Sequence, residues 1–256
     1  MSELLTQKQK SCTRFQEIDT FRGIAIIMMV FYHIIFDLYY FNYLNIDIYN
    51  SVLRYFAYAT ASLFIMIAGI SIWISKERYK KQSIKINYFN KYFKRGLFLF
   101  SIGILITIVT WIFIKEGFIL FGILHLIGLS IILAPFFFRL KEWNALAGLI
   151  IVILGIIISK YNGPFWTIFL GLAPADFYSV DYEPLLPWFG IFLIGISIGA
   201  YLYPHGNRKP FFDEIIKNHR FSKFFEYPGR HSLIIYLVHQ PVIIMILSLI
   251  AGKILI

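Results

Sequence analysis

Residues 20–41 read TFRGIAIIMMVFYHIIFDLYYF, an apolar run long enough to cross a bilayer that nevertheless contains Arg22, His33 and Asp37. Ionisable groups inside lipid-soluble sequence cost free energy, so their retention points to function or to partners supplied by neighbouring helices. At about 100° and 1.5 Å per residue, the step from Arg22 to His33 returns to nearly the same helix face about 16 Å deeper. Asp37 follows one turn beyond, so a single stripe carries a cation, an imidazole and a carboxylate.

The rest of the chain has the same character. Of 256 residues, 59% are hydrophobic and 15% charged, and the mean hydropathy is +0.70. This composition is that of an all-α, polytopic membrane helix bundle. Seven windows can span about 30 Å of hydrocarbon: 20–41, 55–75, 96–114, 117–138, 143–159, 185–203 and 232–250. An eighth apolar patch, 163–175, is short and interrupted by Gly171 and Pro174, which predicts a re-entrant or interfacial segment. The predicted organisation is a cytoplasmic tail over 1–19 and a single transmembrane domain over 20–256.

Charge distribution orients the bundle. Of 24 Lys and Arg, 20 fall in the N-terminal tail through Arg22 and in the 76–95, 139–141 and 208–230 connections. Only Arg54, Lys115, Lys160 and Lys253 fall on the opposite side. Basic residues are retained in the cytoplasm, so the expectation is a multi-pass protein of the cell membrane with a cytoplasmic N-terminus. The same distribution accounts for the formal net charge of +10, and nucleic-acid binding is not expected because no aromatic-interleaved basic groove is present. Residues 1–19 carry no small-residue cleavage site after the apolar run and read as part of an uncleaved signal anchor. Cys12 is the single cysteine, which excludes disulfides within the chain. The six histidines show no HExxH or paired ligand spacing, so no metal is expected.

Each polar residue inside the bundle has a structural and a functional reading. His33 is a buried hydrogen-bonding histidine or a catalytic base. Asp37, four residues on, either orients that imidazole or faces the outer headgroups. Arg22 snorkels at the cytoplasmic mouth or contacts an anion; Asp19 is an N-cap or an Arg22 partner. His125, about 12 Å into its window from the outer end, matches His33 in depth and could share its cavity, or it bridges helices. His239 is followed by Gln240 and Pro241, so it either repairs the helix around the proline or contacts substrate. Arg230 and His231 open the last helix, where free backbone N–H groups and cations suit a phosphate. In the external 160–183 connection, Trp166, Tyr178 and Tyr182 beside Asp176, Asp181 and Glu183 could hold a sugar, or anchor the interface.

The blocks EIDTFRGIAIIMMVFYHIIFDLYYF, LFIMIAGISIWIS, FGILHLIGLSIIL, PLLPWFGIFLIGISIGAYLY and GRHSLIIYLVHQPV, in this order from Glu17 to about Val242, resemble the heparan-alpha-glucosaminide N-acetyltransferase catalytic-domain family in its short prokaryotic form. The Arg22-x10-His33 spacing is similar to that of the wider membrane acyltransferases of cell-surface sugars. The resemblance implies acetyl transfer from cytoplasmic acetyl-CoA, or another acyl-CoA, to a hydroxyl or amine of an extracytoplasmic carbohydrate. For such a transfer the candidate residues are His33, Asp37 and His125 for catalysis, Arg22, Arg230 and His231 for coenzyme A, and His239 and Asp181 for the acceptor. Eukaryotic members have additional spanning helices and a luminal domain, so the acceptor does not follow from the family's name. The competing expectation is a small proton-coupled transporter or flippase in which His33, Asp37 and His125 relay protons. Membrane lipid is a partner in either case, and a homo-oligomer is compatible with both.

Overall fold

The computed structural model describes residues 14–47, 52–81, 87–114, 116–209 and 222–252. Cys12 lies outside them. The described residues form eight α-helices, α1 (Gln16–Tyr40), α2 (Val52–Lys81), α3 (Tyr88–Phe113), α4 (Ile123–Phe137), α5 (Asn144–Ile158), α6 (Leu185–Leu202), α7 (Ser222–Arg230) and α8 (Ser232–Ala251). Short 3-10 turns occupy Phe138–Trp143, Phe165–Leu170 and Pro204–Gly206. No strand is present among the described residues; one isolated bridge pairs Phe121 with Tyr182.

Six helical runs among the described residues are long and apolar enough to cross a membrane. The expected count of seven is not reached, because the windows 117–138 and 143–159 merge into one helical track, Ile123–Ile158. That track bends at Lys141, whose φ of 48° and ψ of −118° leave the helical region. The bend is held from within: Asn144 Nδ2 donates to the carbonyls of Phe137 (3.0 Å) and Lys141 (2.8 Å). Ser197 Oγ on α6 donates to the Glu142 carbonyl at 2.7 Å. Backbone carbonyls freed by the bend thus find partners in the side chains of Asn144 and Ser197. The 163–175 patch contains only the turn Phe165–Leu170, closed by Gly171 at φ 101°.

The described residues divide into two compact units. One contains α1, the start of α2 through Phe64, α7 and α8, with α1 packed along α7 and against α8. The other contains Ile65–Tyr79 of α2 and α3 through α6, with α3 on α4 and α5 on α6. Apolar side chains gain little from leaving lipid for a neighbouring helix, so association depends on close backbone approach at small residues. Gly148 and Gly190 meet reciprocally: a Cβ on either would lie 2.5 Å from the other's carbonyl oxygen. Gly195 of α6 approaches Met66 of α2 as closely, a Cβ there falling 2.2 Å from the Met66 carbonyl oxygen.

Helix α1 starts four residues before the apolar window. Glu17 and Asp19 sit in its first turn, where carboxylates favour the positive end of the helix dipole. Asp19 is therefore not the N-cap; Phe15 occupies that position. At the other end Asn42 adopts φ 62°, Tyr43 N–H donates to Leu38 O at 2.7 Å, and Asn42 N–H donates to Tyr39 O at 2.9 Å. This is a Schellman stop, with asparagine tolerating the left-handed position.

Candidate active site

The polar stripe of α1 faces α8. His33 and His239 lie with ring centroids 4.8 Å apart and planes at 76°. One turn further, Gln240 Nε2 donates to Asp37 Oδ1 at 2.9 Å. Consecutive residues of α8 therefore meet residues four apart on α1. His33 Nδ1 is 2.9 Å from Met29 O and His239 Nδ1 is 2.6 Å from Tyr236 O. A carbonyl only accepts, so both imidazoles carry their proton on Nδ1 when neutral, which leaves Nε2 of each with its lone pair. Asp37 is 3% exposed and His239 9% exposed, so both are enclosed, while His33 is half-buried.

A second cluster gathers at the N-terminal end of α1. Arg22 Nη1 donates to Asp19 Oδ1 at 3.0 Å, and Arg230 Nε lies 3.7 Å from Asp19 Oδ2. Arg230 Nη2 also donates to Glu226 Oε2 at 2.9 Å. Arg208 grips Glu17 in a two-pronged pair, Nε to Oε1 at 2.8 Å and Nη2 to Oε2. The structure thus brings Arg22 and Arg230 together on one carboxylate, and each of these cations has a carboxylate partner. His231 is exposed, with Nδ1 3.0 Å from Tyr227 O and its ring 4.7 Å from that of Tyr227.

His125 belongs to the other unit and lies at the start of α4 rather than deep in a helix. Gly117 at φ 78° and the extended Gly122 keep 117–122 out of the helix, so His125 sits in its first turn rather than two turns in. Its Nδ1 accepts the Gly122 N–H at 3.3 Å, which places the proton on Nε2, 3.5 Å from Thr107 Oγ1. Phe121 stacks on the ring at 5.5 Å and Phe100 meets it edge-on at 5.2 Å. Nδ1 thus caps the start of α4, while Nε2 faces Thr107 on α3.

Asp181 supports the same helix start. It accepts the N–H of Ile123, and a Cβ on Gly122 would lie 2.6 Å from its Oδ2. Around it, Val180 N–H bonds Gly117 O and Glu183 N–H bonds Phe121 O, each at 2.8 Å. Burial pushes the Asp181 carboxyl up to about 6, against the opposing Ile123 hydrogen bond. Burial and then the neighbouring Asp181 charge push Glu183 well above the ordinary range, opposed by a hydrogen bond from Trp188. Raised folded-state values mean that these carboxyls favour the folded state fully below about pH 4, where the unfolded groups are also protonated. That contribution is lost as pH rises through about 6 and beyond. Melting temperature is therefore expected to fall between pH 4 and 8, and the slope to flatten in an Asp181→Asn/Glu183→Gln variant. An unchanged slope would remove these carboxyls as its source.

A family model for the catalytic region of heparan-alpha-glucosaminide N-acetyltransferase matches residues 14–241. The chain belongs to this family. No curated protein and no solved structure matches it. Family and apolar helices together make it a multi-pass membrane acetyltransferase. The matched span of the acetyltransferase runs from just before α1 to just past Gln240 and so takes in both clusters of the first unit. The sequence places His33 and Asp37 on one stripe, but not their partners. His239 and Gln240 are visible as polar residues in an apolar helix, and their register against α1 is supplied by the fold. Among the described residues, no three His, Cys, Asp or Glu side chains converge as metal ligands would.

Proposed function

We propose that this acetyltransferase moves an acetyl group from cytoplasmic acetyl-CoA to a hydroxyl or amine of an extracytoplasmic glycan, with His33 at the reacting centre. The observation that carries this reading is the bond between His33 Nδ1 and Met29 O, which leaves Nε2 as a fixed lone pair on the half-buried face of α1 that meets His239. Such a nitrogen can attack the thioester carbonyl, expelling the thiolate and forming an acyl-imidazolium; the acceptor then attacks the acyl carbon, releases Nε2 and gives its proton to the thiolate. It can equally take the proton from an acceptor that attacks directly.

The topology of the reading has seven crossings, α4 and α5 counted separately, with the N-terminus in the cytoplasm where basic residues concentrate. Coenzyme A phosphates would be received at Arg22 and Arg230. Both are tied to Asp19, so an incoming phosphate has to exchange with that carboxylate, and the site favours the dianionic group best able to do so. The pantetheine arm, nearly neutral, suits the apolar path along α1 toward His33, about 16 Å away at 1.5 Å per residue.

The test uses purified full-length protein in lipid nanodiscs with radiolabelled acetyl-CoA and a set of glycans. Labelled glycan and a stoichiometric free thiol are expected. Absence of transfer to every acceptor, accompanied by proton-coupled flux in vesicles, would replace the enzyme with a carrier.

A further inference from the structure

Where α1 meets α8, three buried polar atoms make no hydrogen bond among the described residues: Asp37 Oδ2, His239 Nε2 and Gln240 Oε1. Their residues are already linked, Gln240 Nε2 donating to Asp37 Oδ1 and His239 packing against His33. All three atoms have the same hydrogen-bonding sense. A carboxylate oxygen and an amide oxygen accept, and His239 Nε2 accepts because the proton is on Nδ1, held by Tyr236 O at 2.6 Å. Buried polar atoms are ordinarily satisfied, so a cluster of one sense defines what complements it.

We infer that Asp37, His239 and Gln240 form the cradle for the acceptor substrate and that it selects groups presenting only hydrogen-bond donors, the hydroxyls or amine of a sugar. Carboxylate, sulfate and phosphate substituents bring acceptor oxygens and negative charge against Asp37 and are excluded from this position. The inference rests on the acetyl-transfer reading and adds where the acceptor is held and by what chemistry. His33 shares the α1 face with Asp37, so a group held in the cradle lies beside the free Nε2. In the direct version its oxygen or nitrogen forms the bond to the acetyl carbon while His33 Nε2 takes its proton. The carbon–sulfur bond then breaks, and the imidazolium returns that proton to the departing thiolate.

The experiment measures binding and transfer separately on the full chain in nanodiscs, with methyl glucosaminide, methyl glucoside and methyl glucuronide as probes. Asp37→Asn and Gln240→Met are expected to weaken binding of the first two sugars about tenfold or more, as loss of one well-placed hydrogen bond does. Acetyl-CoA affinity stays within about twofold on the same scale. Both substitutions disturb the Asp37–Gln240 bond, so His239→Leu, which leaves it in place, serves as the second variant and shows the same pattern. A larger loss for the glucosaminide than for the glucoside in Asp37→Asn assigns the amine to Asp37; equal losses assign hydroxyls. Wild-type protein that binds none of the neutral or amino sugars, or binds the glucuronide equally well, overturns the inference, as does weakened acetyl-CoA binding with sugar binding intact. Sugar binding that depends on these residues without transfer by the wild type leaves the cradle standing and removes the acetyltransferase reading.

Discussion

Replacing His33 with alanine is expected to lower acetyl transfer by about 10²- to 10⁴-fold, the range for removing a positioned proton-transfer group, while the protein stays folded. The imidazole is a base with a defined free nitrogen: Nδ1–H donates to Met29 O, and Tyr32 and His239 meet the ring edge-on at 5.5 Å and 4.8 Å. Asp37, the other potential base of the α1 stripe, lies a turn away and is bonded through Oδ1 to Gln240. Stability is expected to change less than turnover, since His33 is only half-buried and alanine is compatible with the helix. Turnover at saturating substrates and a melting curve on the same sample check both parts. Wild-type turnover in the variant would remove His33 from catalysis, and loss of turnover with loss of the folded state would leave its role structural.

Which residues share a helix face was legible in the sequence; which helix they face was not. Periodicity along 20–41 places His33 and Asp37 on one face, and the structure keeps them there. Depth alone suggests His125 as the companion of His33. The companion found in the first unit is His239, because Gln240, 203 positions from Asp37 in the chain, sets the register of α8 against α1. His125 was misplaced for a local reason: hydropathy sees residues 117–122 as apolar and continuous, but Gly117 at φ 78° turns the chain, and helix begins only at Ile123. The start of α1 was drawn late for the opposite reason. Glu17 and Asp19 read as polar tail, yet both are buried, matched by Arg208, which is 191 residues away in sequence from Glu17, and by Arg22 and Arg230. A sliding window registers the charge and not the partner that neutralises it. The bend at Lys141 depends likewise on Asn144 and Ser197, polar residues that look incidental in apolar helices.

The second large effect is expected at Gly23, far from the imidazoles. A Cβ there would lie 1.8 Å from Phe225 O and 2.8 Å from its carbonyl carbon, and a Cβ on Gly229 would lie 1.8 Å from Asp19 O. Helices α1 and α7 are thus in backbone contact at two glycines, and no side chain at the crossing can rotate aside. Ordinary overpacking costs about 1–3 kcal/mol because neighbours shift rotamers; here a helix must move. The displacement would also separate Arg230 from Asp19, 3.7 Å apart across the same crossing, leaving a buried carboxylate with less compensation. Gly23→Ala is therefore expected to destabilise by about 4 kcal/mol or more, among the exceptional values for one substitution, and Gly23→Leu to abolish monodisperse folded protein. Gly252→Asn is the contrasting change. That glycine has φ 63° with nothing within 4 Å of a built Cβ, a conformation asparagine tolerates, so its melting temperature should stay near wild type. The measurement is thermal unfolding in matched detergent followed by gel filtration. Gly23→Ala melting with the wild type would show that α1 and α7 do not cross in backbone contact, and the pairing of Arg22 and Arg230 on Asp19 would lose its structural basis with it.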